Sequence, residues 1–315
     1  MKQKTTIKVI GVGGSGCNAV SRMMKSKIEG IELVAVNADV QDLIKANANK
    51  KIEIGKKLTG GLGAGMNPKV GKMAAEESKA EIEEMVKGSD LVFITCGLGG
   101  GCGTGAAPVV AEIAKKQGAL TIAVVTKPFS FEGIPRKKIA DKGLESLRHK
   151  VDSLMVIPND KLLKIVNNKI SASAAFFLCD DILKQAVQGI SDLISLPGIV
   201  NVDFADLKTV MQNSGSALFG VGIGKGEGRV QKAINSALRS PFLEDIPISK
   251  GGKAVLVNVS GGRDLALSEV QEAVEKIKIG LNSKAKLIFG AVEDKRLGEG
   301  EIKIAIFITG FGKVQ

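Results

Sequence analysis

The sequence of 315 residues predicts an α/β protein in which a parallel sheet covered by helices is followed by one long helix and a smaller α+β domain. Three observations predict this fold class. Strand-like and helical segments alternate through the first half, a continuous helical pattern covers Ser171–Leu196, and strand-like segments predominate after Gly198. We therefore expect domains at residues 1–170 and 199–315, with the connecting helix at residues 171–198.

The first half alternates short apolar runs with helical patterns. The strand-like runs are Thr6–Val12, Ile31–Val36, Leu91–Thr95, Leu120–Val125 and Leu154–Ile157. The helical patterns between them include Asn18–Met24, Pro68–Val86 and Ala106–Lys116. This order is typical of a parallel sheet with helices on both faces.

The connecting helix and the second half of the chain differ from the first half in their order of helical and strand-like segments. Ser171–Leu196 predicts a helix of about seven turns, which Pro197 and Gly198 end. The strand-like runs after it are Ala217–Ile223, Ala254–Val259, Lys286–Phe289 and Ile302–Thr309, with helical patterns at Arg229–Leu238 and Leu267–Ile279. The charged, glycine-containing segment Glu293–Gly300 separates the last two strands, so we expect them to form a β-hairpin.

The composition excludes several classes of protein. Hydrophobic residues make up 44% of the chain and charged residues 24%, which is typical of a globular protein, and no apolar run approaches the ~20 residues of a membrane span. The chain enters a strand-like run within its first seven residues, so we expect no signal or transit peptide. Four cysteines without a C-x-x-C pair and the single histidine, His149, argue against structural zinc and favour a reducing cytoplasm.

The net charge of +11 admits nucleic acid, anionic lipid or nucleotide as a partner. Aromatic residues are only 3% of the chain, with no Trp or Tyr, so phenylalanines alone could stack on bases. The lysines are scattered and mixed with acids. We therefore expect a solvated surface and no specific nucleic-acid partner.

A first glycine loop, Gly11–Gly16, follows a strand-like run and opens a helix. It fits the pattern G-x-G-x-x-G, in which glycines let the backbone approach a phosphate at a helix N-terminus. This loop alone also fits an NAD- or FAD-dependent enzyme, with Asp39 as the acid that binds ribose.

A second loop, Gly97–Pro108, argues against that alternative. Six of its first nine residues are glycine, a density that we expect only where a backbone folds around several phosphate oxygens. A third loop, Gly60–Gly65, lies between the other two. A Rossmann oxidoreductase uses one such loop, and the chain has no G-x-x-x-x-G-K-[ST] pattern of a P-loop enzyme.

The segment Gly99–Pro108 resembles the GGGTGTGAAP signature of the tubulin/FtsZ superfamily, and in detail the FtsZ family of bacterial division GTPases. The resemblance covers nearly the whole chain. Its further segments are Val124–Phe129, Phe131–Gly133, Ile157–Leu163, Ala186–Ile190 and Asn201–Asp206.

The resemblance implies a Rossmann-like GTPase domain that binds GTP or GDP with Mg²⁺, and K⁺ is a further ion to test. Glu132 and Arg136 match the family's ribose- and phosphate-side pair, Phe176 would stack on guanine, and Asp180 would accept from its N1–H and amino group. The loop residues implied in nucleotide binding are Gly13, Gly14, Ser15, Gly16, Cys17, Asn18, Gly65, Gly99, Gly100, Gly101, Cys102, Gly103, Thr104 and Gly105.

By the same resemblance, Asn201, Asp203 and Asp206 form the catalytic loop. The two acids are three residues apart at a predicted helix start, where helix capping is the structural alternative. In the family this loop enters the nucleotide site of the next subunit, and the acids orient the attacking water. Such head-to-tail contacts generate filaments. A relative that polymerises with little hydrolysis is the main competing function.

Three departures from the family pattern matter. Cys102 stands where the signature has threonine, and a thiol donates a weaker hydrogen bond than a hydroxyl. Ser15 and Cys17 replace glycines found in many members. The chain ends at Gln315 without the tail that in the family binds membrane tethers and division regulators. We expect either a truncated chain, which we favour, or a protein that reaches the membrane by other means. The family works in the cytoplasm, at the mid-cell division ring beneath the membrane.

Overall fold

The computed structural model describes residues 5–26, 28, 30–163, 171–243, 252–282 and 284–311. The predicted domain edge at residue 170 and the chain end at Gln315 lie outside these ranges. The chain forms two compact units, Met1–Val187 and Gln188–Gln315, which are described separately.

The first unit is built on six parallel strands. They are β1 (Ile7–Val12), β2 (Ile31–Asn37), β3 (Lys50–Glu53), β4 (Leu91–Gly97), β5 (Leu120–Lys127) and β6 (Ser153–Pro158). Their order is β3-β2-β1-β4-β5-β6, and every pairing between neighbours is parallel. The predicted parallel sheet is confirmed.

Helices follow these strands along the chain. They are α1 (Gly13–Lys25), α2 (Val40–Lys45), α3 (Lys56–Thr59), α4 (Pro68–Glu77), α5 (Lys79–Val86), α6 (Cys102–Lys116), α7 (Ile134–Arg148), α8 (Asn159–Leu162) and α9 (Ala172–Ser195), with a 3-10 turn at Ser130–Glu132. The long helix predicted over Ser171–Leu196 is α9. The division between the two units falls within it.

Burial explains why the central strands contain so few polar residues. In β4 and β5, all residues except the last of each strand are buried, because helices cover both faces of a parallel sheet. Helix α6 is also almost entirely buried and packs into the same apolar cluster. The helix that follows the second glycine loop is therefore held firmly in the core.

Two predicted helix boundaries differ from the structure. The helix predicted over Pro68–Val86 is divided into α4 and α5 at Ser78, whose Oγ accepts a hydrogen bond of 3.0 Å from the Gly55 backbone N–H. Helices α1 and α6 begin four to five residues before the predicted starts, within the glycine loops. Glycine has low helix propensity, but tertiary packing overrides it here.

The second unit contains five strands and three further helices. The strands are β7 (Gly198–Val200), β8 (Gly215–Lys225), β9 (Ala254–Gly261), β10 (Lys286–Glu293) and β11 (Glu301–Phe311), and the helices are α10 (Phe204–Met211), α11 (Arg229–Leu238) and α12 (Leu267–Ile279). The strands are ordered β8-β11-β9-β10-β7. Only β9 and β10 pair in parallel, so this is a mixed sheet.

The predicted hairpin between β10 and β11 is wrong. Strand β9, which is buried at every residue, lies between them and pairs with both. The segment between β10 and β11 is tied to α9 by Arg296. Its guanidinium group donates to Asp294 (2.6 Å) and to Asp192 of α9 (2.7 Å). A charged glycine-containing segment indicates a turn, but it does not show which strand lies beside the next.

No helix within the described ranges is long and apolar enough to cross a membrane.

Candidate functional site

A cleft of about 490 Å³ lies at the carboxyl ends of the parallel strands of the first unit. Its lining comes from segments that follow β1, β2, β4, β5 and β6, and from α9. Ligands of open parallel sheets bind at this edge, because the loops after the strands converge there. The three glycine loops all reach the cleft.

The first loop contributes Gly13, Gly14 and Ser15, which open α1 and line the cleft. Gly13 has a φ of 73°, and a Cβ there would lie 2.7 Å from the Gly103 backbone nitrogen. The first and second loops therefore touch, and only glycine fits between them.

The second loop contributes Gly100, Gly101, Cys102 and Gly103 at the start of α6. Neither α1 nor α6 has an acidic residue in its first turn, so both helix N-termini present partial positive charge without a competing carboxylate. Two such N-termini beside one cleft suit a ligand with several phosphates.

Several glycines of these loops have a packing role instead. A Cβ at Gly16 would lie 2.4 Å from the carbonyl oxygen of Thr95, and a Cβ at Gly105 would lie 2.0 Å from that of Pro68. Neither residue lines the cleft. Phosphate binding is thus not the only reason for the glycine density, contrary to the interpretation of the sequence.

Four other predicted loop residues lie outside the cleft lining. The Thr104 hydroxyl accepts a 2.9 Å hydrogen bond from the Gly99 N–H, so this pair holds the loop in shape. Cys17 is buried beneath β2, with its thiol facing the carbonyl oxygens of Gly11 and Val36, while Asn18 is exposed on α1. The third loop contributes Gly65, which does line the cleft.

All four cysteines are free thiols. Burial raises the pKa of Cys102 to about 11 and the pKa of Cys17, Cys96 and Cys179 to about 12. Cys102 lines the cleft at the start of α6, where an N–H of the backbone is available whatever the side chain. The thiol is therefore protonated at neutral pH, and it is a weak donor rather than a nucleophile.

Replacing this thiol with the hydroxyl of the family signature tests its role. We expect Cys102→Thr to keep or raise kcat/KM for GTP, because a hydroxyl is a stronger hydrogen-bond donor and the backbone is unchanged. The gain should be no more than about tenfold, which corresponds to a hydrogen bond of about 0.5–1.5 kcal/mol. Cys102→Ser separates the hydroxyl from the added methyl group. A collapse of activity in both variants would show that the thiol itself is required.

The side of the cleft away from the glycine loops carries charged and aromatic residues. Glu132 and Arg136 form an ion pair one helical turn apart, and Glu132 also accepts from the Phe129 N–H (2.9 Å). Phe176 is 45% exposed and lies edge-on to Phe129, with the ring centres 5.4 Å apart. An exposed ring that is supported from behind can stack on a planar ligand.

Asp180 lines the cleft one turn after Phe176 and is buried. Its Oδ2 accepts a 2.8 Å hydrogen bond from Nε of Arg22 on α1. Burial raises the pKa of this carboxyl group, and the Arg22 guanidinium opposes that shift.

Two asparagines in the cleft were missed as site residues. Asn37 ends β2 and Asn159 follows β6, and both are buried. Within the described ranges, Nδ2 of Asn37 and Oδ1 of Asn159 have no hydrogen-bond partner. Unpaired buried polar atoms are costly, so one donor and one acceptor of the cleft are available to a ligand. Asn159 lies in the segment Ile157–Leu163 that resembles the family, which is a signal in the sequence, whereas Asn37 is marked only by its position directly after the strand-like run Ile31–Val36.

The predicted catalytic residues lie in the second unit, and none of them lines the cleft. Oδ1 of Asn201 accepts from the Gly198 N–H (3.2 Å), which closes the turn after β7. Asp203 is at the N-cap position of α10 and Asp206 is in its first turn, as predicted, and both are exposed. The Asp203 side chain makes no capping hydrogen bond, so the capping alternative has no support in its geometry.

The residues that the structure describes include no group of three or more His, Cys, Asp or Glu side chains that could hold a metal ion. The carboxylates of Asp39 and Asp42 do line the cleft beside the glycine loops. Oδ1 of Asp39 accepts hydrogen bonds from the N–H groups of Gln41 and Asp42, and it thereby caps and stabilises the start of α2. This donor set suits a metal ion that is held mainly by the phosphates of a nucleotide.

Comparisons with known proteins find similarity over nearly the whole chain. Residues 6–167 match the model of the Tubulin/FtsZ family GTPase domain, and residues 215–312 match that of the FtsZ family C-terminal domain. The empty FtsZ dimer of M. jannaschii is 49% identical, with a TM-score of 0.93 over 98% of this chain and 89% of that chain.

Two further structures are similar. A mutant of M. jannaschii FtsZ is 50% identical, with a TM-score of 0.93 over 98% of this chain and 92% of that one. The GTPγS-bound protofilament of CetZ2 from Haloferax volcanii has a TM-score of 0.80 over 98% and 94% of the two chains. At 19% identity it shows a shared fold alone. Since the first family model covers more than half of the chain and the second covers most of the remainder, the chain belongs to the Tubulin/FtsZ family and is a GTPase that binds GTP and GDP.

Proposed function

We propose that this GTPase assembles head to tail into filaments and hydrolyses GTP at a site that the next subunit completes. One observation carries the proposal. Asp203 and Asp206 are exposed, and among the described residues neither carboxylate has a hydrogen bond or an ion pair. Acids at the start of a helix often interact with the positive end of its dipole or cap its N–H groups, but neither carboxylate makes a capping hydrogen bond here. Carboxylates left unused by their own subunit are available to another.

The nucleotide would lie with its phosphates on the glycine loops, against the backbone N–H groups at Gly14, Gly101, Cys102 and Gly103. The Glu132–Arg136 pair would bind on the ribose and phosphate side, and Phe176 would stack on the base. Asn37 and Asn159 would satisfy their unpaired amide atoms with polar groups of the ligand.

Asp180 would select guanine over adenine. An ionised carboxylate only accepts hydrogen bonds, and guanine presents two donors, the N1–H and the amino group, on one edge. The corresponding edge of adenine has an acceptor at N1, which would repel the carboxylate. The buried position of Asp180 makes this discrimination stronger than it would be in water.

The substrate would be GTP with its Mg²⁺, which neutralises charge on the β- and γ-phosphates when bound. The chain itself would supply three things. The two helix N-termini stabilise negative charge, the tight glycine backbone fixes the phosphates, and Asp203 and Asp206 of the neighbouring subunit orient and polarise the attacking water. Each subunit alone would therefore be a poor GTPase.

Assembly and cellular role rest on the relatives. The M. jannaschii FtsZ structure, which is 49% identical, is a dimer, and heterologous contacts that do not close generate filaments. We propose a role in cytokinesis, in a mid-cell ring beneath the membrane that tethers and division regulators anchor. The solved relatives named above come from archaea, so the proposal concerns cytokinesis and is not restricted to bacteria.

The rate of GTP hydrolysis per subunit against protein concentration, with Mg²⁺ and K⁺ present, tests the shared site. We expect a rate near zero below a threshold concentration and a steep rise above it, in step with light scattering from filaments. A rate per subunit that stays constant across the threshold would mean that each monomer carries a complete site, and the roles of Asp203 and Asp206 would be wrong.

A further inference from the structure

Arg22 lies on α1, more than two turns after the glycines that open this helix, and it does not line the cleft. Its side chain reaches α9 instead. Nε donates to Oδ2 of Asp180 at 2.8 Å, and the guanidinium carbon lies 4.0 Å from the centre of the Phe177 ring. Two independent contacts thus fix the guanidinium group between the two helices.

Among the residues that the structure describes, Arg22 is the positively charged group that contacts this carboxylate. The Asp180 side chain is 11% exposed, its neighbour Cys179 lies on α9, and the cleft also holds the Glu132–Arg136 ion pair, in which Glu132 engages the guanidinium. Cys179 and Glu132 cannot stabilise a negative charge. Arg22 is therefore the group that favours the ionised carboxylate, against the cost of burying it.

The contact also leaves the ligand side of the carboxylate free. Only Oδ2 is engaged by Arg22, and within the described ranges Oδ1 has no hydrogen bond. A carboxylate that is held at one oxygen by a fixed donor has its plane and its free oxygen set before a ligand arrives. Asp180 lines the cleft in this orientation.

We propose that Arg22 is a positioning residue for base selection, which holds Asp180 ionised and oriented so that it accepts hydrogen bonds from a purine with donors at N1 and at the 2-amino group. The inference rests on the role proposed above for Asp180. It assigns guanine specificity to a pair of residues on two helices rather than to a single carboxylate. The competing interpretation is a structural tie between α1 and α9, with no effect on which base is bound.

The test compares GTP with ITP, which lacks the 2-amino group, in competition with a fluorescent GTP analogue. The variants are Arg22→Met, Arg22→Lys, Asp180→Asn and the double variant Arg22→Met with Asp180→Asn. Lys25→Met removes the same charge from the same helix at an exposed position and serves as the matched control. Thermal unfolding of each variant shows that it is folded.

We expect Arg22→Met to weaken GTP binding about tenfold and ITP binding less, so that the preference for GTP falls. The loss should grow as the pH is lowered. Without Arg22 the pKa of the buried Asp180 carboxyl group rises further, so the group takes up a proton at a higher pH than in the unmodified chain and can then donate as well as accept. Arg22→Lys should restore part of the affinity and the pH profile. In the Asp180→Asn background, Arg22→Met should have no further effect.

Equal losses for GTP and ITP at every pH, present also in the Asp180→Asn background, would overturn the inference in favour of a structural tie. The experiment distinguishes a wrong role for Asp180 from a wrong role for Arg22. If Asp180→Asn leaves the preference for GTP over ITP unchanged, the proposed role of Asp180 is wrong. If Asp180→Asn abolishes that preference and Arg22→Met leaves it intact, only the inference about Arg22 fails.

Discussion

Asp206→Ala should reduce GTP turnover at least ~100-fold while the affinity for GTP changes by less than about twofold. This split is expected because Asp206 is outside the lining of the cleft and would act only on the water that attacks in a neighbouring subunit. The fold should survive, because the substitution removes an exposed acid from the first turn of α10, at a cost of about 0.3–1 kcal/mol. Turnover is measured above the assembly threshold, and affinity by equilibrium binding.

A mixing experiment gives the sharpest control for this prediction. Asp206→Ala keeps a complete cleft, and Asp180→Ala keeps both catalytic acids, so a mixture of the two variants contains interfaces that combine an intact cleft with an intact Asp206. We expect the mixture to hydrolyse GTP faster than the sum of its parts. Additive rates, or an Asp206→Ala variant that loses GTP binding and turnover together, would contradict a site shared by two subunits.

Gly105→Ala is expected to destabilise the first unit by about 2 kcal/mol, although alanine is the better helix former by about 1 kcal/mol. The added methyl group would lie 2.0 Å from the carbonyl oxygen of Pro68 and 2.7 Å from the backbone nitrogen of Lys72. Both atoms belong to the backbone of α4, so a whole helix must move. We expect a fall in the midpoint of thermal unfolding of about 4–8 °C and weaker GTP binding, because α6 begins with the cleft residues Cys102 and Gly103.

Gly100→Ala is the matched control from the same loop. A Cβ at Gly100 would have no atom within 4 Å, and its φ is outside the left-handed region, so its unfolding midpoint should stay close to that of the unmodified chain. A stability loss as large as that of Gly105→Ala would show that the contact between α4 and α6 does not set the cost of an alanine in this loop, because the lower entropy of the unfolded chain should favour alanine at an open position.

The parallel sheet was predictable because its signal is local. Each strand is a short apolar run, each glycine loop follows a strand, and the order of elements leaves few topologies. Asp180 was placed at the cleft by the resemblance to the family, whereas the local reasoning brought Gly13 and Cys102 there through the glycine loops. The local reasoning failed for β10 and β11, since the position of β9 between them depends on pairings across more than 25 residues of sequence that no local pattern records.

The site was predictable where residues occur in motifs and unpredictable where they act singly. Asn37 is an isolated amide, and Asn159 lies in the segment Ile157–Leu163 without a role of its own, so the unpaired atoms of both become visible only when burial is known. Arg22 sits 158 residues before its partner Asp180, and nothing in the spacing connects them. Gly16 and Gly105 were predicted to bind the nucleotide, but they allow close packing of the backbone instead. The sequence could not separate them, because glycines of both kinds occur in the same motif.

The burial of the four thiols has a practical consequence for imaging the filaments. Burial raises the pKa of Cys102 to about 11 and that of the other three thiols to about 12, so the thiols stay protonated at neutral pH and maleimide dyes should react slowly with the native chain. A cysteine introduced at the exposed Lys25 would then be the preferred attachment point for a fluorophore. Single filaments could be labelled and followed without first removing any native cysteine.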